Sequence, residues 1–138
     1  MKKIAFAFCA MIMMAASCKK NPPAVPEDLL IKILTEGEWA VTDFKLNGNN
    51  ITTDFAGRRF KYKDNPKIVE AKFNGNVTNT GTWDGSQSTM TASANFPGAT
   101  HPVVLVNGTW NLVPVSSRIV EASQTVGSEI KTMKLYRE

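Results

Sequence analysis

The side chains able to do chemistry are few and scattered. His101 is the sole histidine of the 138 residues, and it sits in Ala99-Thr100-His101-Pro102 with no Asp, Glu or Cys at ligand spacing. A metal centre needs three or four donors, and a triad needs nucleophile, base and acid within mutual reach. His101 therefore reads as a loop residue, and with no carboxylate pair or phosphate loop in sight no enzymatic activity, metal or cofactor is expected. The basic run Arg58, Arg59, Lys61, Lys63, Lys67 and Lys72 could meet anionic lipid or polysaccharide, but it reads more simply as a solvated sheet face. Trp39, Trp83 and Trp110 offer surfaces for stacking on a sugar or lining a pocket, against the plainer role of filling a core.

The elements that must position these residues follow from periodicity. Glu27 to Glu36 carries Leu29, Leu30, Ile33 and Leu34 on one face at helical spacing, with Glu27 and Asp28 in the first turn and Gly37 placed to end the helix in a left-handed conformation. From Glu38 the pattern switches to period two, with turn residues roughly every eight to twelve positions. Arg58, Phe60 and Tyr62 alternate with Arg59, Lys61 and Lys63, and Val69, Ala71 and Phe73 alternate with Ile68, Glu70 and Lys72. Asn74-Gly75-Asn76 predicts a hairpin into Val77 to Trp83. Further strands are predicted over Ser88 to Phe96, Val103 to Val106, Thr109 to Val115, Arg118 to Gln124 and Glu129 to Arg137. Eight to ten antiparallel strands predict an all-β fold, either an up-and-down barrel or a β-sandwich.

One local conflict marks a candidate site. Strict alternation from Trp39 carries Asp43 and Lys45 inward, whereas Phe44 and Leu46 look like the apolar pair; a bulge near Thr42 or Asp43 would repair the pattern. Arg58 likewise shares the face of Phe60 and Tyr62. An interior Asp43 and Arg58 would have to pair or meet a polar ligand, because an unpaired buried charge is too costly.

The N-terminus carries an address. Lys2 and Lys3 precede the apolar stretch Ile4 to Met14, which is too short to span a bilayer, and Ala15-Ala16-Ser17-Cys18 follows. This resembles the lipobox of bacterial lipoproteins, which implies a signal peptide over 1–17 and a fatty-acylated Cys18 as mature N-terminus. Cys9 leaves with the signal, so the folded part has no thiol or disulfide. Lys2 and Lys3 leave too, reducing 16 basic side chains to 14 against 12 acidic, a balance that gives a nucleic-acid partner no support. Residues 18–26 hold Pro22, Pro23 and Pro26 and read as a stiff tether; residues 27–138 read as one domain, expected to be a monomer.

Gly37-Glu38-Trp39, between a helix and the first strand, resembles the opening motif of the lipocalins, and the domain resembles the lipocalin-like lipoproteins of the Bacteroidetes. Gly-x-Trp recurs at Gly81-Thr82-Trp83 and Gly108-Thr109-Trp110, so its position gives the first occurrence its weight. The resemblance implies a barrel closed at one end by Trp39, with Arg137 packed across it. It also implies a small apolar ligand in the interior, for which Asp43, Arg58, Phe60, Tyr62, Trp83 and Trp110 are the candidate contacts. In those lipoproteins acidic residues after the cysteine accompany surface export; Lys19-Lys20-Asn21 here imply the periplasmic face of the outer membrane instead. The alternative is an envelope interaction or inhibitor protein acting through loops such as Phe96 to Pro102. An empty interior would favour the first reading, a packed one the second.

Overall fold

Alternation at period two builds the wall of the molecule. The computed structural model describes residues 29–138; the signal segment, Cys18, the tether, Glu27 and Asp28 lie outside the described residues. A helix, α1 (Leu29–Thr35), is followed by strands β1 (Trp39–Leu46), β2 (Asn49–Asn50), β3 (Arg58–Lys63), β4 (Ile68–Phe73), β5 (Asn76–Ser86), β6 (Thr91–Asn95), β7 (Gly108–Ser116), β8 (Ile119–Val126) and β9 (Glu129–Arg137). From β3 to β9 each strand pairs antiparallel with the next, and β1 pairs with both β3 and β9. The result is a closed eight-stranded up-and-down barrel, with two-residue β2 as an extra strand on the end of β1. Closure through β1 and β9 excludes the sandwich and leaves the barrel strands without a free edge.

Local chemistry sets the turns. Gly37 ends the helical segment at φ +73°, as its position predicts, and Asn74-Gly75 takes two positive φ values, +49° and +84°, which suits a two-residue hairpin between twisted strands. The conflict in β1 is resolved by a register shift between Val41 and Asp43. The bulge turns Phe44 fully into the core and Asp43 out, where it meets Asn50 at 3.2 Å and Lys45 at 3.9 Å. The expected interior pairing of Asp43 with Arg58 is therefore not formed.

Three other expectations are corrected. Val103–Val106 is a 3-10 turn, not a strand; its Val103 and Val106 enter the core while Val104 faces out. Helix α1 buries Leu30 and Leu34, but Leu29 is 45% exposed, because a helix this short touches the barrel with a narrow stripe. The strand expected from Ser88 begins only at Thr91, after a turn in which Met90 has positive φ.

The two barrel ends are closed differently. At one end α1 lies over the start of β1, and the Trp39 indole N–H donates to the Leu34 carbonyl at 2.9 Å. At the other, two 3-10 turns, Thr52–Phe55 and Val103–Val106, send Phe55, Val103 and Val106 down between the strands. Phe55 stacks on Phe44 at 4.7 Å, and Phe44 meets the edge of Trp110 at 6.1 Å.

Candidate functional site

The barrel interior was the expected ligand site, and it is filled. Phe60, Tyr62, Trp83 and Trp110 all lie in one continuous core with Trp39, Val69, Val120 and Leu135. The void between Leu34, Tyr62, Ala94, Trp110 and Met133 measures about 10 Å³, room for at most about one water. Each tryptophan satisfies its indole N–H on a backbone carbonyl: Trp39 on Leu34, Trp83 on Lys63 and Trp110 on Val106. Tyr62 packs edge-on against Trp83 at 5.2 Å, and burial pushes its phenol up to about 12. The stability contributed by the neutral buried phenol is complete below pH 10 and is lost as pH rises through about 12. Tyr62→Phe should therefore flatten the fall of melting temperature across this window, removing a pH-dependent term on the order of 2 kcal/mol. Parallel curves for wild type and variant would show that the phenol is not held neutral by the fold.

Residues that the sequence did not single out hold the second end shut. Lys131 and Gln124 point inward from β9 and β8 and are buried. The Lys131 ammonium donates to the Leu105 carbonyl at 3.1 Å and lies 5.5 Å from the Trp110 ring centroid, while the Gln124 amide donates to the carbonyls of Asn107 and Thr109. Asn107 in turn accepts the Phe96 backbone N–H at 2.7 Å. His101 meets Asp54 at 2.8 Å, joining the two 3-10 segments across 47 residues of sequence. Parity with Met133 and with Ala122 marks Lys131 and Gln124 as inward-facing; their carbonyl partners are set only by the tertiary fold. The loop from Phe96 to Pro102 buries both of its end residues and exposes Pro97, Gly98, Thr100 and His101 between them.

The remaining candidates lie outside the apolar core, with Arg58 and Arg137 half-buried. Arg137 pairs across the seam with Trp39, and its guanidinium binds Glu36 at 2.6 Å. Arg58 stacks over Phe73 at 5.1 Å, with its Nε buried and unpartnered. Within the basic run, Arg59 pairs with Glu138, Lys63 with Glu70, Lys67 with Asp84 and Lys72 with Glu38. Hydrogen bonds from Lys63 and Lys67 hold the Glu70 and Asp84 carboxyls below the usual carboxylate range, and the bond to Glu38 raises the Lys72 ammonium. Most of the run is thus a laced sheet face. No group of three metal-ligating side chains occurs among the described residues.

A depression lies on the outer wall, over β1, β9, β8 and β7, with a volume of about 360 Å³. Most of the side-chain types along it are polar or charged, with Val113, Ala122 and Met133 interspersed among them. Asp43, Lys134, Glu121 and Val113 form one cross-strand row, and Lys45, Thr132, Ser123 and Asn111 form the next.

No family model matches this sequence, and no curated protein does. Among solved structures, the chain is similar to a DUF4847 family protein from Bacteroides vulgatus, with 13% identity and a TM-score of 0.56 over 79% of this chain and 97% of that one. At that identity the likeness is one of fold.

Proposed function

We propose that this protein is a lipid-anchored barrel of the bacterial envelope that recognises a partner with its outer surface, its interior serving the fold. The observation that carries the reading is the filled core. A small-molecule site typically offers several hundred Å³, and the interior void here is about 10 Å³. The lipocalin resemblance at Gly37-Glu38-Trp39 supports the barrel, and the ligand it implies would first have to displace the 3-10 turns that carry Phe55, Val103 and Val106. Anchoring rests on Ala15-Ala16-Ser17-Cys18, and a periplasm-facing outer-membrane position on Lys19 and Lys20.

Two measurements test this. The chain from residue 18, with Cys18→Ser, is titrated with fluorescent fatty acids while tryptophan emission is followed; no saturable response is expected, and stoichiometric binding that alters the buried tryptophans would restore the interior-ligand reading. In cells, Cys18→Ser should move the protein out of the detergent phase, since stable anchoring needs the acyl chains. Unchanged partitioning would remove the anchor from the proposal.

A further inference from the structure

Arg58 carries a charge that the fold leaves uncompensated. It opens β3 on the face of Phe60 and Tyr62, shortly after the first 3-10 turn, and stands directly opposite Phe73 on β4. The side chain is half-buried, its guanidinium lies 5.1 Å over the Phe73 ring, and Nε is buried with no acceptor. Its two Nη groups reach solvent and donate to none of the described residues. The neighbouring cations differ, since Arg59 is paired with Glu138 and Lys72 with Glu38. A partly buried cation without a counter-ion costs the fold free energy. Its stacking partner is open too: Phe73 shares the parity of buried Val69 and Ala71, yet is 43% exposed. The local backbone is fixed. At Gly57 a Cβ would come within 2.5 Å of the Asn74 Oδ1 and 3.3 Å of the Phe73 ring, and the Asn74 N–H donates to the Gly57 carbonyl at 2.9 Å.

From these features we infer that Arg58 and Phe73 form a docking site for a carboxylate side chain of a partner protein, an Asp or Glu flanked by an apolar residue. The inference rests on the surface-recognition reading above and names the face and the chemistry of that contact. Three properties of the site select its occupant. The free Nη edge of a guanidinium presents two parallel N–H groups, which a carboxylate accepts bidentately. The site has one uncompensated positive charge, and one carboxylate neutralises it; phosphate groups and anionic lipid surfaces are held by clusters of cations, and here the adjacent Arg59 and Lys72 are already paired. A fatty acid would need a slot for its chain, whereas Phe73 offers one exposed ring and the interior is filled. Because Nε is buried, the charge is less fully hydrated than that of a surface arginine, and pairing it gains more than an exposed ion pair does.

The test is an NMR titration of the ¹⁵N-labelled chain from residue 18, carrying Cys18→Ser, with acetyl-Leu-Glu-Leu-amide, read at the Arg58 Nε–H signal and at the backbone amides of Phe73 and Asn74. Acetyl-Leu-Gln-Leu-amide, octanoate and inorganic phosphate are the controls. Saturable shifts at these signals are expected with the Glu peptide in the millimolar range, and each control should bind at least about tenfold more weakly. Arg58→Gln keeps part of the stem and removes the charge; it should abolish the shifts at Phe73 and Asn74 while melting no lower than the wild type, because the lost charge has no partner in the fold. Arg58→Lys keeps the charge without the fork and should weaken binding by about tenfold or more. Absence of shifts, an equal response to the Gln peptide, or octanoate or phosphate binding as tightly as the Glu peptide overturns the inference, as does an Arg58→Gln variant that melts lower and binds unchanged. If the Glu peptide does nothing and a partner protein cross-links to another face, the surface reading stands and this site falls; if fatty acid enters the core, the surface reading falls by itself.

Discussion

Trp39→Ala should destabilise the domain by about 3–5 kcal/mol, the cost of deleting a fully buried indole from a core that cannot collapse around the gap. For a domain of this size that corresponds to a fall of roughly 15–25 °C in melting temperature. The position is sensitive because three elements meet there: Trp39 lies opposite Phe60 on β3 and Arg137 on β9, and its indole N–H fastens α1 to the barrel through Leu34. Arg137→Ala removes the bond to Glu36, whose carboxylate is half-exposed, and should cost far less. Both side chains belong to one seam, so the double variant should be less destabilised than the sum of the singles. Melting curves of the four proteins decide it; strict additivity would mean that the two residues stabilise the barrel independently.

Trp110→Ala should cost a similar ~3–5 kcal/mol and, unlike Trp39→Ala, open the opposite end. The Trp110 ring meets Phe44, lies under the Lys131 ammonium, and donates its N–H to Val106 within the second 3-10 turn. Without it, Lys131 and Gln124 hold that turn over a cavity. Hydrogen exchange should then accelerate at Val106 and Asn107 ahead of β8 and β9, and the folded variant should acquire affinity for an apolar dye that the wild type lacks. Uniform acceleration across all strands would mean instead that the 3-10 turn and the barrel unfold as one unit.

Much of the wall is legible in the sequence because burial enforces alternation. Phe60 and Tyr62 against Arg59 and Lys61 mark β3 and its faces, and the conflict between Asp43 and Phe44 marks the bulge from residue order alone. The closed ends are less legible. Four consecutive apolar residues at Val103–Val106 fit a buried strand as well as a turn that plugs a barrel, and periodicity does not separate the two in so short a run. The meeting of His101 with Asp54, and of Lys131 with the Leu105 carbonyl, depends on which loops share an end of the barrel. That is a property of topology. The outer-wall depression is hidden for the same reason, since Asn111, Ser123 and Thr132 become a row only when β7, β8 and β9 are set in register. Phe60, Tyr62, Trp83 and Trp110 do face inward, but residue type alone does not distinguish a pocket lining from packing.

The pairing of β1 with β9 has a consequence for how the chain folds. Trp39 lies opposite Arg137, so the contact that closes the barrel joins residues nearly a hundred positions apart, while the other seams are mostly hairpins between sequence neighbours. Local hairpins close quickly; the final seam pays the entropy of the largest loop and is formed late. Until that seam closes, β1 and β9 each present an open edge, which is the state most prone to pair with another chain. Aggregation risk in this protein is therefore concentrated in the interval before its last nine-residue strand docks.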